Sequence, residues 1–137
     1  MKKYIFTLII IPFLFSGCDI LDDEIDKQRS VHFFVQNSVS GNPTGAGSKT
    51  SISYYDVDGN TLFKDIEAGY FWTAVNNDFT KGDRVFLGIT SPYRSGIVTL
   101  RMRCDKCEDF GGSGGNELVK TIDLSVTTVG NISANLN

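Results

Sequence analysis

Tyr54-Tyr55-Asp56-Val57-Asp58-Gly59-Asn60-Thr61-Leu62-Phe63 sets an Asp-Gly dipeptide between two short segments rich in strand-forming residues. Asp-Gly there is a strong hairpin signal, because a tight hairpin turn needs positive φ, which glycine adopts without steric cost. Outward from this turn the chain repeats one pattern. Val85, Leu87 and Ile89 alternate with Arg84, Phe86 and Gly88. Val98, Leu100 and Met102 alternate with Thr99, Arg101 and Arg103, and Val31, Phe33 and Val35 alternate with His32 and Phe34. Leu118, Ile122, Leu124 and Val126 share a parity interrupted by Lys120, and residues 127–136 form a last, weaker segment. Period-two patterning marks strands with one face buried. Gly82-Asp83 and Ser95-Gly96 supply turns before two of the strands. No window of similar length carries a helical stripe, and a parallel sheet would require crossover helices. The expected fold is all-β, an antiparallel β-sandwich of about seven strands over residues 30–137.

The start of the chain has a different composition. Met1-Lys2-Lys3 is positive, and Tyr4 to Phe15 is apolar except for Thr7 and Pro12. Ser16-Gly17-Cys18 follows. A basic start, an apolar core and small residues before a cut site are the signature of a secretory signal peptide, here residues 1–17. The run is shorter than the roughly 20 apolar residues that cross a bilayer. Leu14-Phe15-Ser16-Gly17-Cys18 resembles the lipobox of bacterial lipoproteins, with Phe15 at the position that family usually fills with Leu. The resemblance implies lipidation of Cys18 and anchorage to a membrane through it. Two or three acyl chains hold a protein where one does not, at about 0.8 kcal/mol per buried methylene. Residues 18–29 then read as a lipidated acidic tether, with Asp19, Asp22, Asp23, Glu24 and Asp26. Acidic residues soon after the lipid cysteine resemble export signals of surface-exposed lipoproteins, whereas Asp19 directly after it resembles an inner-membrane retention signal of other lineages; the outer membrane is the preferred reading.

Removal of residues 1–17 takes away Lys2 and Lys3 and no acid, so the net charge moves from −3 to −5. One mildly acidic domain with no basic footprint is a poor nucleic-acid binder. What remains is long enough to bury a core of its own.

Cys104-Asp105-Lys106-Cys107 sits where a strand gives way to a loop. In an oxidising compartment two such thiols usually form a disulfide, and a turn brings positions i and i+3 within the required Cα spacing. A redox motif normally uses a helix N-terminus to lower the thiol pKa, and no helical pattern follows here. A structural zinc needs four ligands, and His32 is the only histidine. The disulfide is the preferred reading, and redox pair, metal ligands and free thiols stay open beside it. Asp56-Val57-Asp58-Gly59-Asn60 superficially resembles a calcium loop, with Glu67 at the twelfth position. Thr61 stands where that loop requires glycine, which favours a plain hairpin. Tyr70-Phe71-Trp72 is the densest aromatic cluster; its rings either fill the core or stack on a ligand. Tyr93-Arg94, between Pro92 and Gly96, is a second candidate because loops at sandwich ends carry recognition. No nucleophile motif accompanies the single histidine, so the expectation is a binding protein without catalytic residues, cofactor or metal.

The order of features is similar to one known family. Ser51-Ile52-Ser53-Tyr54-Tyr55-Asp56-Val57-Asp58-Gly59-Asn60, then Trp72, Lys81-Gly82-Asp83 with Val85-Phe86-Leu87, and Gly96-Ile97-Val98-Thr99-Leu100 look like the small periplasmic domain of the MmpS transport-accessory family, over residues 50–103 with a weaker continuation to 126. The resemblance implies a seven-stranded Ig-like sandwich that assists a large membrane transporter. This chain carries a lipobox in place of that family's N-terminal helix, and Leu100 stands where a cysteine is expected. The resulting expectation is a lipid-anchored envelope module docking on a transporter or other envelope assembly. The alternative is a surface lipoprotein that binds a glycan or apolar ligand through Tyr70, Trp72, Tyr93 and Arg94.

Overall fold

The computed structural model describes residues 28–39 and 49–137. The signal segment, Cys18 and most of the acidic tether lie outside the described residues. Eight strands follow one another: β1 (Arg29–Ser38), β2 (Lys49–Tyr55), β3 (Thr61–Glu67), β4 (Phe71–Phe79), β5 (Arg84–Thr90), β6 (Ile97–Asp105), β7 (Glu117–Asp123) and β8 (Val129–Asn135). They form two four-stranded sheets, in the orders β4-β1-β6-β7 and β3-β2-β5-β8. Every pairing is antiparallel. The protein is an all-β sandwich with four strands in each layer. There is no helix among the described residues.

The alternating residues supply the core. Val31, Phe33 and Val35 from β1, Val85, Leu87 and Ile89 from β5, and Val98, Leu100 and Met102 from β6 are all buried. At about 25 cal/mol per Å² of apolar surface removed from water, these nine side chains are the main source of cohesion between the layers. The Asp58-Gly59 turn joins β2 to β3 as its composition predicts, with Gly59 at φ 78°. Asp56 closes it: its carboxylate accepts hydrogen bonds from the Asp58 and Asn60 backbone N–H groups at 3.0 and 2.7 Å and from the Asn60 side chain at 3.1 Å. The Asp56 oxygens that a calcium reading would assign to a metal are therefore used within the turn.

Three features depart from the simple alternating pattern. The strand without a period-two signal is β4, because Phe71, Trp72 and Val75 place apolar residues on both of its faces. Val126 does not join the core; it is 82% exposed in the turn between β7 and β8. Asn37 and Ser38, both polar, end β1, where Asn37 is buried and donates from Nδ2 to Thr50 Oγ1 and to the Glu67 carbonyl. Two buried polar side chains thus cross from one sheet to the other, and a hydroxyl–hydroxyl contact at 3.1 Å continues the chain from Thr50 to Ser91.

Candidate functional site

Alternation decides which side chains look outward. Since Val31, Phe33 and Val35 point into the sandwich, His32, Phe34 and Gln36 stand on the outer face of their sheet. Strand register then assembles that face row by row. His32 lies between Val75 of β4 and Arg103 of β6, which in turn opposes Glu117 of β7. Phe34 lies between Thr73 and Arg101, and Gln36 between Phe71 and Thr99.

One end of the face is aromatic. The Phe34 and Phe71 rings stack at 6.3 Å with an interplanar angle of 19°. Phe71 is 68% exposed and Tyr70, just before it, 63%. With Gln36, Ser38 and Gly69 these rings line a shallow depression of about 310 Å³. The Arg101 guanidinium stands 5.6 Å from the Phe34 ring centroid, a cation–π distance, and its Nε lies 3.4 Å from Glu117. The other end is charged. His32 Nε2 is 2.8 Å from Asp105 Oδ2, and Arg103 Nε is 3.4 Å from Asp105 Oδ1. An ionised carboxylate only accepts, so Nε2 carries the proton in this contact. The His32 hydrogen bond, helped by the charges of His32, Arg103 and Lys106, holds the Asp105 carboxyl below the ordinary aspartate value of 3.8. A second depression, of about 340 Å³, runs from Phe34 past Val75 to Arg103 and Glu117.

The expected site residues divide. Tyr70 and Arg94 are both exposed, and only Tyr70 belongs to this face. Trp72 has the parity opposite to Phe71. It packs on the core, with its ring 5.0 Å from Tyr54, which in turn lies 5.4 Å from Phe33. Tyr93 is 4% exposed and part of the core, so the loop tip presents Arg94 without an aromatic beside it. Cys104 and Cys107 are joined in a disulfide with Cα atoms 5.6 Å apart, at the end of β6, and Asp105 sits inside that loop. Among the described residues no group of three His, Cys, Asp or Glu side chains is placed to hold a metal ion.

Phe34, Gln36 and Arg101 join the site without having been singled out in the sequence. The signal for Phe34 was present: a large apolar residue at the solvent parity of an otherwise regular strand is unexplained by the core. Compared with known protein families, with curated proteins and with solved structures, the chain gives no match.

Proposed function

We propose that this chain is a lipid-anchored binding module of the bacterial cell envelope, held by Cys18, that works through the outer face of the β4-β1-β6-β7 sheet. The observation that carries this reading is the stacked, water-facing pair Phe34 and Phe71 with Tyr70 beside it and Gln36 and Arg101 around it. The exposed Phe71 and Tyr70 rings offer apolar area, and the polar groups at the rim fix orientation. A sugar ring has the matching chemistry, an apolar C–H face bordered by hydroxyls. A surface glycan is therefore the ligand class we favour for this face.

The test is binding of the full-length lipidated protein, in detergent, to a glycan panel. Phe71→Ala and Tyr70→Ala should each weaken the best ligand about tenfold, the size of one aromatic contact, while the melting temperature stays put. Trp72→Ala should instead destabilise the fold by about 3 kcal/mol, near the low end for removing a core aromatic. Unchanged glycan binding in the Phe71 and Tyr70 variants would remove this face from the reading.

A second reading follows from the family resemblance: the same face docks on a transporter or other envelope assembly as an accessory. Its support is the apolar surface that Phe71 and Val75 expose beside Phe34 among the described residues. In-cell crosslinking of the tagged, full-length protein would then capture one abundant envelope protein, and the Phe71→Ala variant would lose it.

A further inference from the structure

Each sheet has two edge strands, and three of the four edges carry a device against pairing. Charged side chains, lysine above all, keep sheet edges from pairing with other chains. β3 has Lys64, Asp65 and Glu67. β7 has Glu117, Lys120 and Asp123. β8 has no charge of its own, but Lys120 reaches across from β7 and donates to the Asn131 carbonyl at 3.1 Å. β4 is different. From Phe71 to Asn77 it has no charged residue, no proline and no glycine, and among the described residues no strand pairs with its outer side. Its irregularity comes only at the far end, where register shifts against Arg29 and Val31 and Asp78 takes φ 71°. The segment 71–76 is a regular strand with an open edge.

Its side chains are also self-complementary. When a second copy of β4 is laid antiparallel with Thr73 opposite Thr73, Phe71 meets Val75 and Trp72 meets Ala74, twice each by symmetry. The outward pairs are aromatic with β-branched, and Thr with Thr, which are favourable cross-strand neighbours. The inward pairs match a large ring with a methyl group. No charge opposes a like charge anywhere in the pairing.

We infer that β4 is a homodimerisation edge: two copies pair antiparallel through residues 71–75 about a two-fold axis at Thr73, joining their β4-β1-β6-β7 sheets into one eight-stranded sheet. A two-fold contact is isologous, using the same patch on both copies, as this register requires. The pairing brings both Phe34–Phe71 stacks onto one continuous face, on either side of the axis. It stands on the edge chemistry and does not depend on what that face binds.

Register-specific crosslinking of the full-length protein tests it. Directly opposed antiparallel residues have Cα atoms about 4.5–5.5 Å apart, within disulfide reach. Under mild oxidation Thr73→Cys should form a covalent dimer well above the parent protein, which serves as the blank. Phe71→Cys alone and Val75→Cys alone should stay at the blank level, and an equal mixture of the two should crosslink. Thr73 is exposed, so Thr73→Lys should leave the far-UV circular dichroism of the folded β-sandwich unchanged. It should also abolish the dimer in sedimentation, because it sets two ammonium groups face to face. A parent protein that sediments as a monomer at every concentration overturns the inference. So does Thr73→Cys that crosslinks no better than Val75→Cys.

Discussion

Asp105 shows how one residue can serve two parts of the molecule. It is the second residue of the disulfide loop, and its carboxylate holds His32 at 2.8 Å and Arg103 at 3.4 Å on the outer face of the sheet. Its pKa is depressed in the folded protein, chiefly by the His32 hydrogen bond. A depressed carboxylate pKa means that the unfolded chain binds the proton more readily. The stability it contributes is therefore complete above the ordinary value of 3.8 and is lost as pH falls through the lower, folded value. Asp105→Asn should melt at a lower temperature than the parent at pH 7, and the two should converge under strong acid; thermal melts at several pH values check this. Asp56 and Asp123 are depressed in the same direction, the first chiefly by the Asn60 side chain and the second by Ser125, so some acid sensitivity persists in the variant. None of this was legible beforehand. The sequence shows a lone histidine and an aspartate 73 residues apart, and only the β1–β6 register brings them together. Phe71 and Trp72 teach the converse: the aromatic cluster was visible, but which ring faces water depends on a strand parity that two adjacent aromatics cannot reveal.

The turn elements were easier to read than the strands beside them. Asp58-Gly59, Gly82-Asp83 and Ser95-Gly96 all fall at strand boundaries, because a positive φ is a local demand that glycine meets at Gly59, Gly82 and Gly96 without help from distant contacts. β4 escaped notice because its inner residues Trp72, Ala74 and Asn76 are only half-buried, so no sharp alternation was needed to make it a strand. The loop after β6 is rich in glycine, yet it contains Phe110, which is fully buried. The Cys104–Cys107 disulfide lies at the base of this loop and holds the end of β6 where Phe110 enters the core. Its sequence separation is only 3, so by the chain-entropy relation it stabilises the fold by about 2 kcal/mol. Because both sulfur atoms are in buried residues, alanine is the informative replacement; serine would add unpaired hydroxyls. The Cys104→Ala/Cys107→Ala pair should lose about that amount in urea melts, and reduction of the parent should give a similar loss. A double variant as stable as the parent would show that Phe110 and the β6 pairing hold the loop unaided.

At one side of the sandwich the two sheets come together, where β7 of one layer meets β8 of the other. Gly130 on β8 faces Ile122 on β7 so closely that a Cβ added at Gly130 would collide with the Ile122 side chain, its Cδ1 first and Cγ1 at 2.7 Å next. Gly130 does not have a positive φ of the kind that needs glycine; what it supplies is room. Glycine in a strand often marks a close approach of this sort. The consequence is a coupling between layers that no single strand pattern could display, since parity says which way a side chain points and not how near the opposite sheet lies. Gly130→Ala should therefore destabilise the protein by about 1–3 kcal/mol, as overpacking of a filled core does. Ile122→Val removes the Cδ1 atom that the new methyl would strike, and alone should cost about 0.5–1.5 kcal/mol. If the approach of the sheets is the constraint, the double variant Gly130→Ala/Ile122→Val will be more stable than the sum of the two losses allows, and a double-mutant cycle in urea reads that coupling directly. Strict additivity would mean that the layers move apart to admit the methyl, and that the sandwich is held at this side by its β6–β7 and β5–β8 pairings alone.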